Sequence, residues 1–183
     1  MLEFAILGFV CEKDMTGYDA KKAIEEGIGV CYKASFGSLY PALKRLVGKG
    51  CLTAYTQPQG ARKKVFYSIT PKGQTTFTQW LTSPIKLFEG TNACLTKVFF
   101  YDKLPRETRD RLLLAYELEN TEYLQKLEAL AETFRNLEHK EKFYYKLTTL
   151  YFGICATRQR IEWCRLIRAK LPLPGLTTRE ADA

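Results

Sequence analysis

The sequence predicts a mainly α chain in two parts: three helices, a basic β-hairpin and a returning helix, followed by a region of long helices. Three observations carry that expectation. Apolar residues recur at helical spacing through most of the chain, two short β-type runs flank one polar and basic segment, and no Gly or Pro falls between Pro105 and His139.

The elements follow in order. Leu2 to Cys11 gives a short apolar helix closed by Glu12-Lys13-Asp14. Thr16 is placed to cap a second helix from Gly17 to about Glu26, with Asp19 favouring its positive end and Gly27-Ile28-Gly29 stopping it. Ser35 caps a third helix in which Leu39, Leu43 and Leu46 form a buried face opposite Ser38, Tyr40, Lys44 and Arg45. Pro41 is awkward there, since it lacks an N–H and biases Tyr40 away from helical angles. Gly48-Lys49-Gly50 ends the helix. Leu52–Thr56 and Val65–Ile69 read as strands joined by a flexible basic tip, 57–64, and Thr70-Pro71 opens a helix that runs to about Thr82. Three helices, a basic hairpin and a returning helix make a winged helix-turn-helix, expected over residues 1–85.

Charge singles out the same region. The net charge is +8, yet no Asp or Glu occurs between Glu26 and Glu89, a window with nine bases. The remaining 19 bases face all 20 acids, so the positive excess sits in that window. Such a surface attracts a polyanion, because phosphate contacts release condensed counterions; a merely solubilising surface would look similar. A membrane-surface helix would gather its bases on one face, whereas here they fall across several short elements. For double-stranded DNA the logic is geometric. The major groove admits one helix whose N-terminal half offers small and donor side chains, and a wing lies along the flanking backbone. Tyr18, Lys33, Ser35, Ser38, Tyr40, Lys44 and Arg45, with Gln59, Gly60, Arg62, Lys63 and Lys64 of the wing, are the candidate DNA-binding residues. Tyr18 and Tyr40 serve equally well as half-buried packing residues.

Thr16-Gly17-Tyr18, the run Gly37-Ser38-Leu39-Tyr40-Pro41-Ala42-Leu43-Lys44-Arg45-Leu46, and Val65-Phe66-Tyr67-Ser68-Ile69-Thr70-Pro71-Lys72-Gly73 together resemble the PadR family of bacterial transcriptional regulators over residues 1 to about 83. The resemblance implies a proline within the recognition helix, which accounts for Pro41; Cys51 departs from the aliphatic residue expected at its position. Leu95–Leu104 and Trp163 resemble the subgroup with a virulence-activator-like C-terminal region. The family resemblance implies a homodimeric regulator, usually a repressor, that leaves a near-palindromic operator when an inducer binds.

The second part, residues 86–176, reads as a helical dimerisation and effector region, with 177–183 as a disordered tail. Leu113, Tyr116, Asn120, Tyr123, Leu127, Leu130, Phe134 and Leu137 alternate in steps of three and four, a two-position seam with one polar residue. It suits a partner helix from a second copy or from the same chain. A last helix, about Glu141 to Leu171, ends before Pro172 and Pro174. Phe99, Tyr151 and Trp163, with neighbouring aromatics, suit either core packing or a small-molecule effector pocket.

Other classes of function find little footing. The single histidine, His139, has no nucleophile motif beside it, and there is no phosphate-binding glycine loop. Six dispersed cysteines without a C-x-x-C pair read as small buried residues, with no metal or cofactor expected, although a redox-sensing thiol stays open. The apolar start carries Glu3 where a signal peptide would place bases, and no apolar run reaches bilayer length, so a cytoplasmic protein without membrane contact is expected. The alternative to a regulator is a winged-helix adaptor that binds proteins without specific DNA recognition.

Overall fold

A computed structural model describes residues 1–29, 35–59, 62–135 and 140–173. Lys33, Gly60, Leu137, His139, Cys31 and the 177–183 tail therefore lie outside the described residues. The chain divides into two compact units, 1–105 and 106–183.

The first unit is built around α1 (Leu2–Val10), which packs against α2 (Gly17–Ile28), α3 (Phe36–Gly48) and α4 (Pro71–Thr82). A helix apolar on every side belongs at the centre of a core, and Ala5, Ile6, Leu7 and Val10 are all within 2% of full burial. Cutting Ile6 back to Ala would cost about 2–5 kcal/mol. Gly8 permits the closest approach: a Cβ there would meet the Phe100 ring at 2.5 Å. Around it Phe9, Phe77, Phe99 and Phe100 make a cluster of edge-on and tilted rings, while Trp80 stacks on Phe4 with centroids 4.5 Å apart.

Three side-chain caps set helix starts. Thr16 and Asp19 form a reciprocal capping box on α2, Ser35 accepts from the Ser38 amide on α3, and Thr70 accepts from the Gly73 amide on α4. Pro41 lies in the second turn of α3, inside the helix. Gly50, at φ +69°, takes the left-handed turn after it.

The sheet differs from expectation in two ways. A two-residue strand β1 (Met15–Thr16) pairs with β3 (Arg62–Ile69), giving the antiparallel order β1-β3-β2. Strand β2 (Leu52–Gln59) and β3 also run further than predicted: Gln57 pairs with Lys64, Pro58 with Lys63 and Gln59 with Arg62. The basic residues assigned to a loose tip thus stand on ordered strand arms. Pro58 is tolerated because β2 is an edge strand.

Helix α5 (Thr91–Phe99) was not foreseen; it packs in the first unit, where fully buried Lys97 takes an unusual role. Its ammonium donates to Ser83 O, Ser83 Oγ and Pro84 O at 2.7–3.1 Å, satisfying acceptors just past α4, and burial lowers its pKa.

The second unit is an antiparallel pair, α6 (Arg106–Thr133) and α7 (Tyr144–Arg168). Glu128 pairs with Arg158, and Glu117 with both Arg165 and Arg168, along its length. Helix α6 ends at Thr133, so Phe134 falls in the following turn and not on the helix as expected. Among the described residues, no helix is long and apolar enough to cross a membrane.

Candidate nucleic-acid interface

The geometry starts from α3. Its buried line, Leu39, Ala42, Leu43 and Leu46, seats the helix on the core, and that leaves two flanks of different character. On one flank Tyr40 joins Thr16, Gly17, Tyr18, Asp19, Lys64, Val65 and Tyr67 around an open cleft. The short β1–β3 pairing builds this cleft, because matching Thr16 with Phe66 carries Tyr18 to the side of Lys64. Tyr40 packs so closely on Gly17 that a Cβ there would sit 2.9 Å from its Cε1. Tyr18 and Tyr40 nevertheless remain 64% and 49% exposed, and a tyrosine ring with its polar hydroxyl tip suits an interface that is part apolar and part wet. Burial raises the Tyr67 hydroxyl above its usual pKa, helped by Tyr40. Hydrogen bonds from Thr16 hold Asp19 below the ordinary carboxylate range.

On the other flank Ser38, Pro41 and Arg45 face the start of α1. Here Glu3 accepts from Arg45 Nε and from Lys49 Nζ, both at 2.7 Å. Burial pushes the Glu3 carboxyl up, but hydrogen bonds from Lys49 and Arg45 outweigh this and leave it below its usual value.

The candidate residues are therefore not equivalent. Lys44, Lys63 and Lys64 are exposed and form no ion pair among the described residues. Arg45 is exposed but engaged by Glu3. The hydroxyls of Ser35 and Ser38 are both committed to the α3 cap, Ser38 Oγ donating to Ser35 O at 3.0 Å. Gln59 and Arg62 form the last described pair of the wing. Tyr55 steadies β2 by donating to Asp14 at 2.7 Å and stacking on Phe66. The roles of Glu3 and Asp14, and the contact of Gly17 with Tyr40, had no signal in the local sequence pattern, because each acts on a residue at least 23 positions away.

The seam residues divide as well. Leu113, Tyr116 and Asn120 are buried within the single chain, Tyr123, Leu127 and Phe134 are half-buried, and Leu130 is exposed. Asn120 Nδ2 donates back to Tyr116 O. The open apolar surface of this unit lies mainly on α7, at Tyr144, Tyr145, Tyr151 and Phe152. Tyr151 is thus exposed and Trp163 half-buried about 18 Å further along the helix, so the two do not meet, and Phe99 belongs to the first unit's ring cluster. Among the described residues no group of three His, Cys, Asp or Glu comes together to hold a metal. Cys51, Cys94 and Cys164 are buried, Cys11 is half-buried and Cys155 is exposed.

Residues 6–79 match the transcriptional regulator PadR-like family, and residues 92–172 match the virulence activator alpha C-term family. The negative transcriptional regulator PadR of Bacillus subtilis (strain 168) is 33% identical over 82 residues, 44% of this chain and 45% of that protein. The match thus spans less than half the length of this relative. Among solved structures, Bacillus subtilis PadR in complex with operator DNA has a TM-score of 0.45 at 25% identity, covering 93% of this chain and 99% of that one. The same regulator in complex with p-coumaric acid gives 0.41 at 23% identity, covering 92% and 97%.

Proposed function

We propose that the chain, whose residues 6–79 match the transcriptional regulator PadR-like family, is a homodimeric repressor that reads a near-palindromic operator and is released from it by a small-molecule effector. The observation that carries the DNA-binding reading is the convergence of exposed Tyr18, Tyr40 and Lys64 beside α3, next to a wing whose lysines form no ion pair among the described residues. Tyr40 and Lys44 stand four residues apart on α3 and enter the major groove together; Ser35 and Ser38 set the start and register of that helix. Arg45, Lys33 and the wing residues Gln59, Gly60, Arg62, Lys63 and Lys64 contact phosphates. Repression is supported by the curated relative, which is a negative regulator.

In this reading residues 1–85 bind DNA, and 86–176 dimerise and take the effector. The dimer is supported by the exposed aromatic face of α7 and by the half-buried seam residues Tyr123, Leu127 and Phe134. Two winged domains then meet half-sites about one helical turn apart. For the effector, Trp163 is the first residue to test.

The deciding experiment is a titration against the DNA upstream of the chain's own gene, with random duplex as competitor, at two salt concentrations. Specific, salt-sensitive binding is expected. In the Lys63→Ala/Lys64→Ala variant the salt slope should flatten by up to about one unit per lost phosphate contact. Weak binding that ignores sequence would overturn this reading and put a protein-binding adaptor in its place.

A further inference from the structure

We infer that Glu3 is a positioning residue of the DNA-binding surface, which holds Arg45 and Lys49 in one bridged cluster and so trades sequence-blind phosphate attraction for a directed arginine. This inference rests on the DNA-binding reading above. Each Glu3 oxygen takes one base, Oε1 from Arg45 and Oε2 from Lys49, both at 2.7 Å. The bridge joins α1 to α3 across more than forty residues of sequence. Glu3 is the more enclosed member, with 23% of its side chain exposed against 56% for Arg45 and 58% for Lys49. The carboxylate therefore sits beneath two outward bases.

Two consequences follow from the bond pattern. Arg45 is engaged through Nε, so the N–H groups of both terminal nitrogens stay available to a phosphate or a base edge, with the guanidinium plane oriented by the bond below. The three groups also carry a net charge of +1 where two free bases would carry +2. Sequence-blind binding depends on the number of phosphates neutralised, whereas selective binding depends on where donors point. Glu3 lowers the first and improves the second. Ser38 and Pro41 share the same cleft, which puts the bridge at the edge of the surface offered by α3 and not on a remote face.

The test is Glu3→Gln, which keeps size and removes the charge, compared with the parent on the upstream duplex and on a random duplex at several salt concentrations. The expected result is random-duplex binding about threefold or more tighter, with a salt slope steeper by up to about one unit. Operator affinity should gain less, so the operator-to-random ratio falls. In an Arg45→Gln/Lys49→Gln background the same Glu3 change should leave the random-duplex slope unaltered. Identical random-duplex curves for parent and Glu3→Gln, or an unchanged ratio in a variant that melts as the parent does, would overturn the inference. A parent with no operator preference would defeat the proposed function instead, while the random-duplex comparison would still decide the role of Glu3.

Discussion

At Gly17 a methyl group would press on the Tyr40 ring at 2.9 Å, and the ring is what must yield, because it is half exposed and, among the described residues, stacked only on the exposed Phe36 ring. Gly17→Ala is therefore expected to change thermal stability by less than about 1 kcal/mol, since the first position of α2 accepts Ala. Displacing Tyr40 should weaken operator binding about tenfold, within the range for one lost base-edge contact. Melting curves and an operator titration of the same preparation separate the two effects; equal operator affinity would take Tyr40 off the DNA. Thr16→Ala should act in the opposite sense, costing about 1 kcal/mol of stability through loss of the capping box, read as a lower Tm. The caps at Thr16 and Ser35 were legible because a cap bonds within three residues of itself, and Thr70-Pro71 marked the start of α4 without showing that Thr70 caps it. The partner of Tyr40 was not, because nothing local to residue 40 points to residue 17.

At the scale of elements, the α6–α7 pair is held by Glu117. Burial pushes its carboxyl up, but the hydrogen bonds from Arg165 and Arg168 prevail and leave it below the usual carboxylate value. A folded value below the unfolded one stabilises the protein above the ordinary carboxylate range, and that contribution is lost as pH falls through the folded value. Glu117→Gln should thus lower stability by about 2 kcal/mol near neutrality, in the range of hydrogen bonds to charged groups. Melts of parent and variant should converge once the pH falls below the folded value, and a difference that persists in stronger acid would assign the loss to packing. Helix periodicity made both helices legible. It did not reveal where α6 stops, since the seam spacing continues through Phe134 while the backbone turns after Thr133. The wing failed in the opposite direction. Gln, Pro, Arg and Lys are weak strand formers, so 57–64 read as loop, yet ladder pairing with an edge strand extends order nearly to the tip.

For the whole molecule, a test of assembly needs a residue that does not also hold the helix pair together. Leu127 packs against Gly153 of its own α7, where a Cβ would lie 3.6 Å away, so Leu127→Asp would disturb the helix pair itself. Phe152, 74% exposed, offers a cleaner test. Phe152→Asp is expected to give a folded monomer by light scattering and, since one winged domain reads only a half-site, to weaken operator binding at least tenfold; a dimer of parental stability would place the interface elsewhere. The sequence by itself determined the helix order, the hairpin, the caps, the buried leucine line of α3 and the acid-free basic window, because each is written in spacing or composition within one segment. Only the tertiary structure decided which bases in that window are free. Folding brings Glu3 onto Arg45 and Lys49, and Asp14 onto Tyr55, from outside the window, whereas Lys44, Lys63 and Lys64 form no ion pair among the described residues, Lys64 facing Asp19 only across the open cleft. The physical reason is that charges act through space: a window without acids in sequence acquires them wherever another helix packs against it.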